Sequence, residues 1–441
     1  MTPDRDQHNA PERLPPLAAD HFDVGSTEDS LERLVACARS GGPIFRIRAP
    51  GRGSDTWVIN NPADIKRVLV TNHRNFTKGV GLDRVRILLG NGIMTSEGAL
   101  WRSQRRMIQP LFHRRVLEQF ATLIARCVDE RIAHWIELAR RGEPVDVTEE
   151  MSTLTLDIVL RSVFGSDLAW LTERFGGNPF TIVAEHSARD LQFAYRFRLL
   201  NRLVGELVAR RRTAGEEHFD FLGMLIAARD KETGAPMPAR ELLDEAMTLV
   251  VAGHETTASA LNWTWYLLAT HPDAFARLTA ELDATPEHAV MTLAQSEALH
   301  YTQAVIHEAM RLYPPGWILS RRTIGPDLLS GYAVPPGTDV MLSPYLIHRH
   351  PAYWDGPLEF RPERFLEAAS DPRDRWIYIP FAAGPRHCIG ETLAMYEMTV
   401  HVARVARRLQ MEYLDDGPLE LEAAINLRAR RGLRMRLARR Q

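Results

Sequence analysis

Apolar residues along this chain recur mostly with a helical period. Segments 98–106, 113–140, 149–164, 180–212, 217–230, 239–270 and 296–313 carry them three and four positions apart, the spacing that gives a helix one buried stripe. Strand-like patterns are short and lie near the two ends. Between Ile44 and Asn60 apolar residues flank a Gly- and Pro-containing loop and predict two strands. Pro62–Leu69 reads as a short helix with Pro62 in its first turn. Residues 77–98 are rich in glycine and predict a flexible loop. Strand signals return at 331–343, and 427–437 alternates apolar residues with arginine as a half-exposed strand does. Residues 1–20, with Pro11, Pro15 and Pro16, predict a loose lead-in. The pattern predicts a mainly α fold with a small β portion. With no repeat and no linker, it also predicts one domain over 1–441, although 441 residues on a prior of about 150 per domain suggest two or three.

Composition narrows the class. The chain is 45% hydrophobic and 25% charged, which excludes a disordered chain or a fibre. A net charge of −2 argues against a nucleic-acid partner. The first residues lack the apolar core of a secretion signal, and no apolar run reaches the ~20 residues of a membrane helix. A cytoplasmic protein without a membrane anchor is expected. The three cysteines, Cys37, Cys127 and Cys388, fit a reducing compartment, in which a special cysteine serves metal binding or catalysis.

Candidate chemistry centres on Phe381-Ala-Ala-Gly-Pro-Arg-His-Cys388-Ile-Gly390. Cys388 stands beside Arg386 and His387 and just before a helical run that starts at Glu391. Cationic neighbours and a helix N-terminus both favour a thiolate. Gly384 and Gly390 permit close backbone approach to a flat group. In the middle of the apolar segment 241–270 stands Ala252-Gly-His-Glu-Thr-Thr257. Buried Glu255 and Thr256 need partners or a task. His254-Glu255 also begins the H-E-x-x-H pattern of zinc hydrolases, but Ala258 occupies the second histidine's place. Glu308 and Arg311 are three apart and share a helix face.

These segments together resemble the cytochrome P-450 superfamily over roughly residues 40–440. Phe381, Gly384, Arg386, Cys388 and Gly390 match all five fixed positions of its haem-ligand signature, Phe-x-x-Gly-x-Arg-x-Cys-x-Gly. The resemblance implies the superfamily's fold, with haem b (iron protoporphyrin IX) between the long central helix and the cysteine loop. It implies that Cys388 is the axial thiolate, that Arg386 pairs a haem propionate and that Phe381 packs near the ligand loop. Thiolate donation favours O–O cleavage. Ala252–Thr257 resembles the oxygen-activation motif, which implies that Thr256 hydrogen-bonds iron-bound oxygen species and Glu255 relays protons. Glu308, Arg311 and Arg364 resemble the Glu–Arg–Arg network that locks the fold behind the cysteine loop. Trp101 and Arg105 resemble a Trp-x-x-x-Arg pair that meets a propionate. Arg321 holds the place of a further propionate-binding arginine, with neighbouring Arg322 as the other register.

The same resemblance implies a substrate pocket built from the loop near 80–95, the helices near 175–200, Leu249, Ala252 and Gly253 of the central helix, Trp317 and Ile318, and the turn at Ala424-Ile425. These residues are chiefly apolar, so a hydrophobic small molecule such as a terpenoid, fatty acid or polyketide is expected. Trp317 either narrows this pocket or packs sideways as core. The implied activity is a monooxygenase that uses O2 to hydroxylate, epoxidise, desaturate or couple. No dinucleotide fingerprint or cysteine cluster is present. Separate ferredoxin and ferredoxin reductase, fed by NAD(P)H, are implied for a monomeric enzyme. Arg102, Arg106, Arg114 and Arg115 form either a docking face for an acidic electron donor or a solvated helix face. A ligand-binding haem-thiolate sensor is the second reading, disfavoured because a sensor needs no Glu255–Thr256 proton relay.

Overall fold

A computed structural model describes residues 14–25, 27–180, 191–215, 217–367 and 374–440. The central helix spans Ala239–Thr270, the bounds that the sequence pattern predicts. Its 32 residues extend about 48 Å at 1.5 Å per residue. It is buried around most of its circumference, including Trp263, Trp265 and Leu261 at 0% exposure, as its all-round apolar pattern requires. The helix Val147–Phe164 packs along it, and Gly253 makes this possible. A Cβ at Gly253 would lie 3.1 Å from Val159 Cγ2.

Other helices follow the pattern with corrected ends. Residues 113–140 are not one helix. A 3-10 turn Gln109–Phe112, a single helical turn Arg114–Leu117 and a second 3-10 turn Glu118–Phe120 precede the helix Ala121–Arg141. His113 is extended (φ −70°, ψ 141°), which interrupts the run. The segment 296–313 divides into Leu293–Glu297 and His300–Leu312. Of 180–212, residues 181–190 lie outside the described residues and Leu191–Ala214 is helical. Helix 217–230 shortens to Phe221–Ala227, started by Asp220, whose side chain accepts from Gly223 N. The expected flexible loop at 77–98 is instead ordered. It begins in the strand Phe76–Lys78 and holds the helix Leu82–Leu89, bounded by Gly81 (φ 99°) and Gly90 (φ 63°). Gly81 and Gly90 are helix ends rather than hinges.

The β portion sits at the edges. Five strands run in the order Ile44–Ile47, Thr56–Ile59, Asp339–Leu342, Leu319–Thr323, Phe76–Lys78. The last pair sets Lys78 directly opposite Arg321. The C-terminal alternation serves two sheets. Leu427–Ala429 pairs with Leu421–Ala423, and Arg434–Arg439 pairs with Leu409–Tyr413. Of the expected loose lead-in, residues 1–13 lie outside the described residues, and Arg46 N donates to Pro16 O and Ala18 N to Arg46 O, both at 2.8 Å, pinning 16–18 to the sheet edge. Among the described residues no helix is long and apolar enough to cross a membrane.

Candidate functional site

The cysteine loop is built on backbone constraints. Cys388 N donates to Phe381 O at 2.9 Å, closing the loop around a 3-10 turn at Gly384–Arg386. Ala382 (φ 60°) and Gly384 (φ 71°) both take left-handed conformations. The close approach at Gly384 is not to an open face. A Cβ there would meet Leu69 O at 2.1 Å, so the glycine lets the loop press on residues 67–71. Gly390 has an ordinary φ of −91° and caps the helix Glu391–Ala406. Gly384→Ala is expected to cost at least about 1–2 kcal/mol from the left-handed backbone alone, before the clash with Leu69 O is added. A urea titration and the haem content of the purified protein measure it.

Cys388 is exposed, unlike the buried Cys37 and Cys127. Crowding by protein raises the thiol above its ordinary value, and the Glu391 carboxylate adds to this. Gly390 and Glu391 N–H groups and Arg105 act the other way but do not win. A coordinating metal ion would deprotonate the thiol outright.

A cluster of cations lies beside this cysteine. Arg105 donates through Nη1 to His387 O at 3.1 Å. Arg386 stacks 3.9 Å from the Trp101 ring, donates to Ser96 O at 2.9 Å and pairs with Glu97 at 2.5 Å. Arg321 is buried, and burial together with Arg386 lowers it to about 10. Alternation along the strand sends its neighbour Arg322 the other way, into a bidentate pair with Asp339 (2.9 and 2.9 Å). Lys78 is a fourth cation that the sequence reading missed. Burial, then Arg321 and Arg386, lower its ammonium to about 7, while Glu97 opposes them. Like charges directly opposite across a sheet are unfavourable. Lys78, Arg105, Arg321 and Arg386 against Glu97 therefore make a site that suits a group with two carboxylates, which is what haem b carries. An exposed thiol beside this cation cluster fits the rest of that group. Phe381 is half-buried against the main core.

On the central helix, Thr256 donates through Oγ1 to Ala252 O at 2.7 Å, the back-bond of a helical threonine. Glu255 Oε2 accepts from Asn426 Nδ2 at 2.9 Å. His254 is fully buried, and its Nε2 lies 2.9 Å from Ser152 Oγ. Burial lowers its pKa to about 4. It is a core histidine of the helix pair, and among the described residues no group of three His, Cys, Asp or Glu is placed to hold a metal ion.

The pocket candidates separate. Ala252 is exposed, Leu249 and Ile318 are half-buried, and Ile425 is 46% exposed at the tip of its turn. Trp317 packs sideways as core, the second of the two placements weighed above. It is fully buried, its Nε1 donates to Ala424 O at 2.9 Å, and Ser343 Oγ donates to its carbonyl at 2.8 Å. Gly253 faces Val159 and serves helix packing. The loop after Leu89 is tied to the central helix by two carboxylates that the sequence reading did not single out. Asn91 N donates to Asp244 Oδ2 (2.9 Å) and Ile93 N to Glu245 Oε2 (3.0 Å).

Behind the cysteine loop, Glu308 and Arg311 form a bidentate pair (2.7 and 2.8 Å), both fully buried. Arg364 Nε donates to Glu308 Oε1 at 3.0 Å. Arg311 also donates to the carbonyls of His348, Pro357 and Glu359, so each of its five N–H groups has a partner. Of the expected basic patch, Arg106 pairs with Asp230 and Glu232 and Arg114 with Glu297, while Arg102 and Arg115 are exposed.

A family model described as Cytochrome P450 matches residues 10–176 and 178–428. Cyclooctatin synthase of Streptomyces melanosporofaciens is 35% identical over 396 residues, covering 86% of this chain and 85% of that protein. Cyclooctat-9-en-7-ol 5-monooxygenase of the same organism is 32% identical over 396 residues, with 86% and 84% covered. Pentalenene oxygenase of Streptomyces avermitilis is 30% identical over 412 residues, with 90% of each covered.

Proposed function

The chain belongs to the cytochrome P450 family, and from that premise we propose that it is a monooxygenase of terpenoid hydrocarbons whose haem is held by Cys388. The observation that carries this reading is the exposed Cys388 beside four cations that one acid does not balance. The haem supplies oxygen activation, with thiolate donation favouring O–O cleavage. The chain's residues do the rest. Arg105, Arg321, Arg386 and Lys78 bind the propionates, and Trp101 backs Arg386. Leu249, Ala252, Ile318 and Ile425 are the partly or fully exposed apolar side chains that would meet a hydrocarbon. Thr256 Oγ1 donates to Ala252 O, which leaves its oxygen lone pairs to accept from a water. Glu255 then supplies a proton to that water, a general-acid role that needs a carboxyl group within one water of the reacting atom. Electrons come from NAD(P)H through ferredoxin reductase and ferredoxin, and the exposed Arg102 and Arg115 offer an acidic carrier its first contacts.

Two relatives are named for cyclooctat-9-en-7-ol and pentalenene, and the apolar pocket candidates support a terpenoid substrate here. Pentalenene titrated into the haem-loaded protein is expected to shift the spin state of the haem spectrum, and turnover is expected to add one oxygen atom by mass. If fatty acids shift the spectrum and cyclic terpenoids do not, the substrate assignment is wrong. Thr256→Ala is expected to keep its haem and its substrate-induced shift while sending most of the reductant to hydrogen peroxide. Fully coupled product formation by that variant would remove Thr256 from proton delivery.

A further inference from the structure

The propionate site holds one carboxylate among its cations, and the way that carboxylate is placed points to a role of its own. Glu97 is the N-cap residue of the helix Gly98–Ile108, with extended backbone (φ −133°, ψ 167°), yet its side chain makes no bond to that helix. An N-cap side chain ordinarily accepts from the first free N–H groups of its own helix. Glu97 turns instead to the two segments packed beside it. Its Oε1 accepts from Lys78 N at 2.7 Å, at the end of the strand Phe76–Lys78, and its Oε2 accepts from Arg386 Nη2 at 2.5 Å. Arg386 is thereby held by Glu97, by Ser96 O and by the face of Trp101, all from the start of one helix.

The charge of Glu97 reaches further than its bonds. Burial and neighbouring cations lower Lys78, Arg321 and Arg386, and Glu97 is the carboxylate that opposes them in all three. Among the described residues no other carboxylate pairs with Lys78, Arg105, Arg321 or Arg386. A cluster built only to attract two carboxylates gains nothing from a third inside it, because like charges repel. A permanent acid in this place therefore has a task besides binding.

We propose that Glu97 is the internal counter-charge of the haem site, a positioning residue that aims Arg386 and whose negative charge lowers the reduction potential of the bound haem. The idea rests on the reading of Lys78, Arg105, Arg321 and Arg386 as the propionate site. Its sign follows from the charges. Reduction adds one electron to the haem, so a fixed negative charge beside the propionates favours the ferric form, and the cations around them favour the ferrous form. Four cations facing two propionates leave an excess of positive charge, and Glu97 reduces it. The haem without substrate then stays ferric and passes fewer electrons idly to O2.

The test is a spectroscopic redox titration of the haem-loaded protein without substrate, with dithionite as reductant and dye mediators, and it needs no turnover. Glu97→Gln keeps the size of the side chain and one acceptor oxygen and removes the charge. Glu97→Asp keeps the charge and shortens the reach, so that both bonds cannot form together. The Glu97 side chain is 30% exposed, so water screens part of its charge. Glu97→Gln is expected to raise the ferrous-to-ferric ratio at a fixed solution potential about tenfold, which is about 59 mV for one electron. Glu97→Asp is expected to stay close to the parent. An unchanged or lowered potential in Glu97→Gln overturns the proposal. Equal rises in the two variants overturn it as well, because a displaced Arg386 rather than a lost charge would then be the cause. The propionate reading is checked separately by Arg386→Gln, which is expected to release haem to apomyoglobin faster than the parent. If Arg386→Gln releases haem at the parent rate and leaves the potential unchanged, the propionate reading fails and takes this proposal with it. If Arg386→Gln speeds release while Glu97→Gln leaves the potential unchanged, only the role of Glu97 falls.

Discussion

Cys388→Ala is expected to give a folded protein that has lost turnover and the long-wavelength Soret band of a carbon monoxide-bound, thiolate-ligated ferrous haem. The two halves of this expectation rest on different observations. Cys388 is exposed and belongs to no hydrophobic cluster, so removing its sulfur opens no cavity. Stability away from such features changes by no more than about 0.5 kcal/mol. The loop itself is kept by the Cys388 N–H bond to Phe381 O, which alanine retains. Haem affinity falls because the propionate cations alone remain to hold the group. Urea midpoints and the reduced carbon monoxide difference spectrum separate the two halves. A variant that keeps the band would place the iron ligand elsewhere and end the haem-thiolate reading.

Arg311→Ala is expected to produce the largest loss of stability in the chain. Its side chain and that of Glu308 are fully buried, and five N–H groups satisfy Glu308 and three carbonyls. Truncation leaves a buried carboxylate with Arg364 as its remaining guanidinium and strands the carbonyls of His348, Pro357 and Glu359. Breaking a buried pair in this way costs about 3–5 kcal/mol. A whole domain holds only about 5–15 kcal/mol. Arg311→Ala should therefore accumulate as unfolded, haem-free protein. Arg311→Lys keeps the charge but not the planar fork, and should lie between the two. Urea titration of the two variants checks the order, and equal midpoints for Arg311→Ala and the parent would show the network to be dispensable.

How much of this was legible from residues alone follows from the range over which each signal acts. The cysteine loop was readable because its five fixed positions lie within ten residues. The central helix was readable because its apolar pattern runs unbroken over its length. The ends of shorter elements were not, because His113 and Leu299 break runs whose periodicity continues past them. Lys78 escaped because its meaning arises only when the strand Phe76–Lys78 pairs with Leu319–Thr323. Asn426, Asp244 and Glu245 escaped for the same reason, as each acts on a segment far away in the chain. Trp317 reads as either pocket or core from the chain alone, and the contacts with Ala424 and Ser343 account for its place in the core.

The central helix is tied at three levels: at Asp244 and Glu245 to the loop 91–93, at Gly253 to Val159, and at Ser259 and Trp263 to Leu427. Each tie fixes the helix in rotation as well as in height. One inserted or deleted residue between Glu245 and Glu255 would turn everything beyond it by about 100° and slide it by 1.5 Å. No side-chain adjustment restores three ties at once after such a change. The stretch should therefore accept many substitutions on its open side and no change of length, a phasing constraint that any recombination of this chain with a relative has to respect.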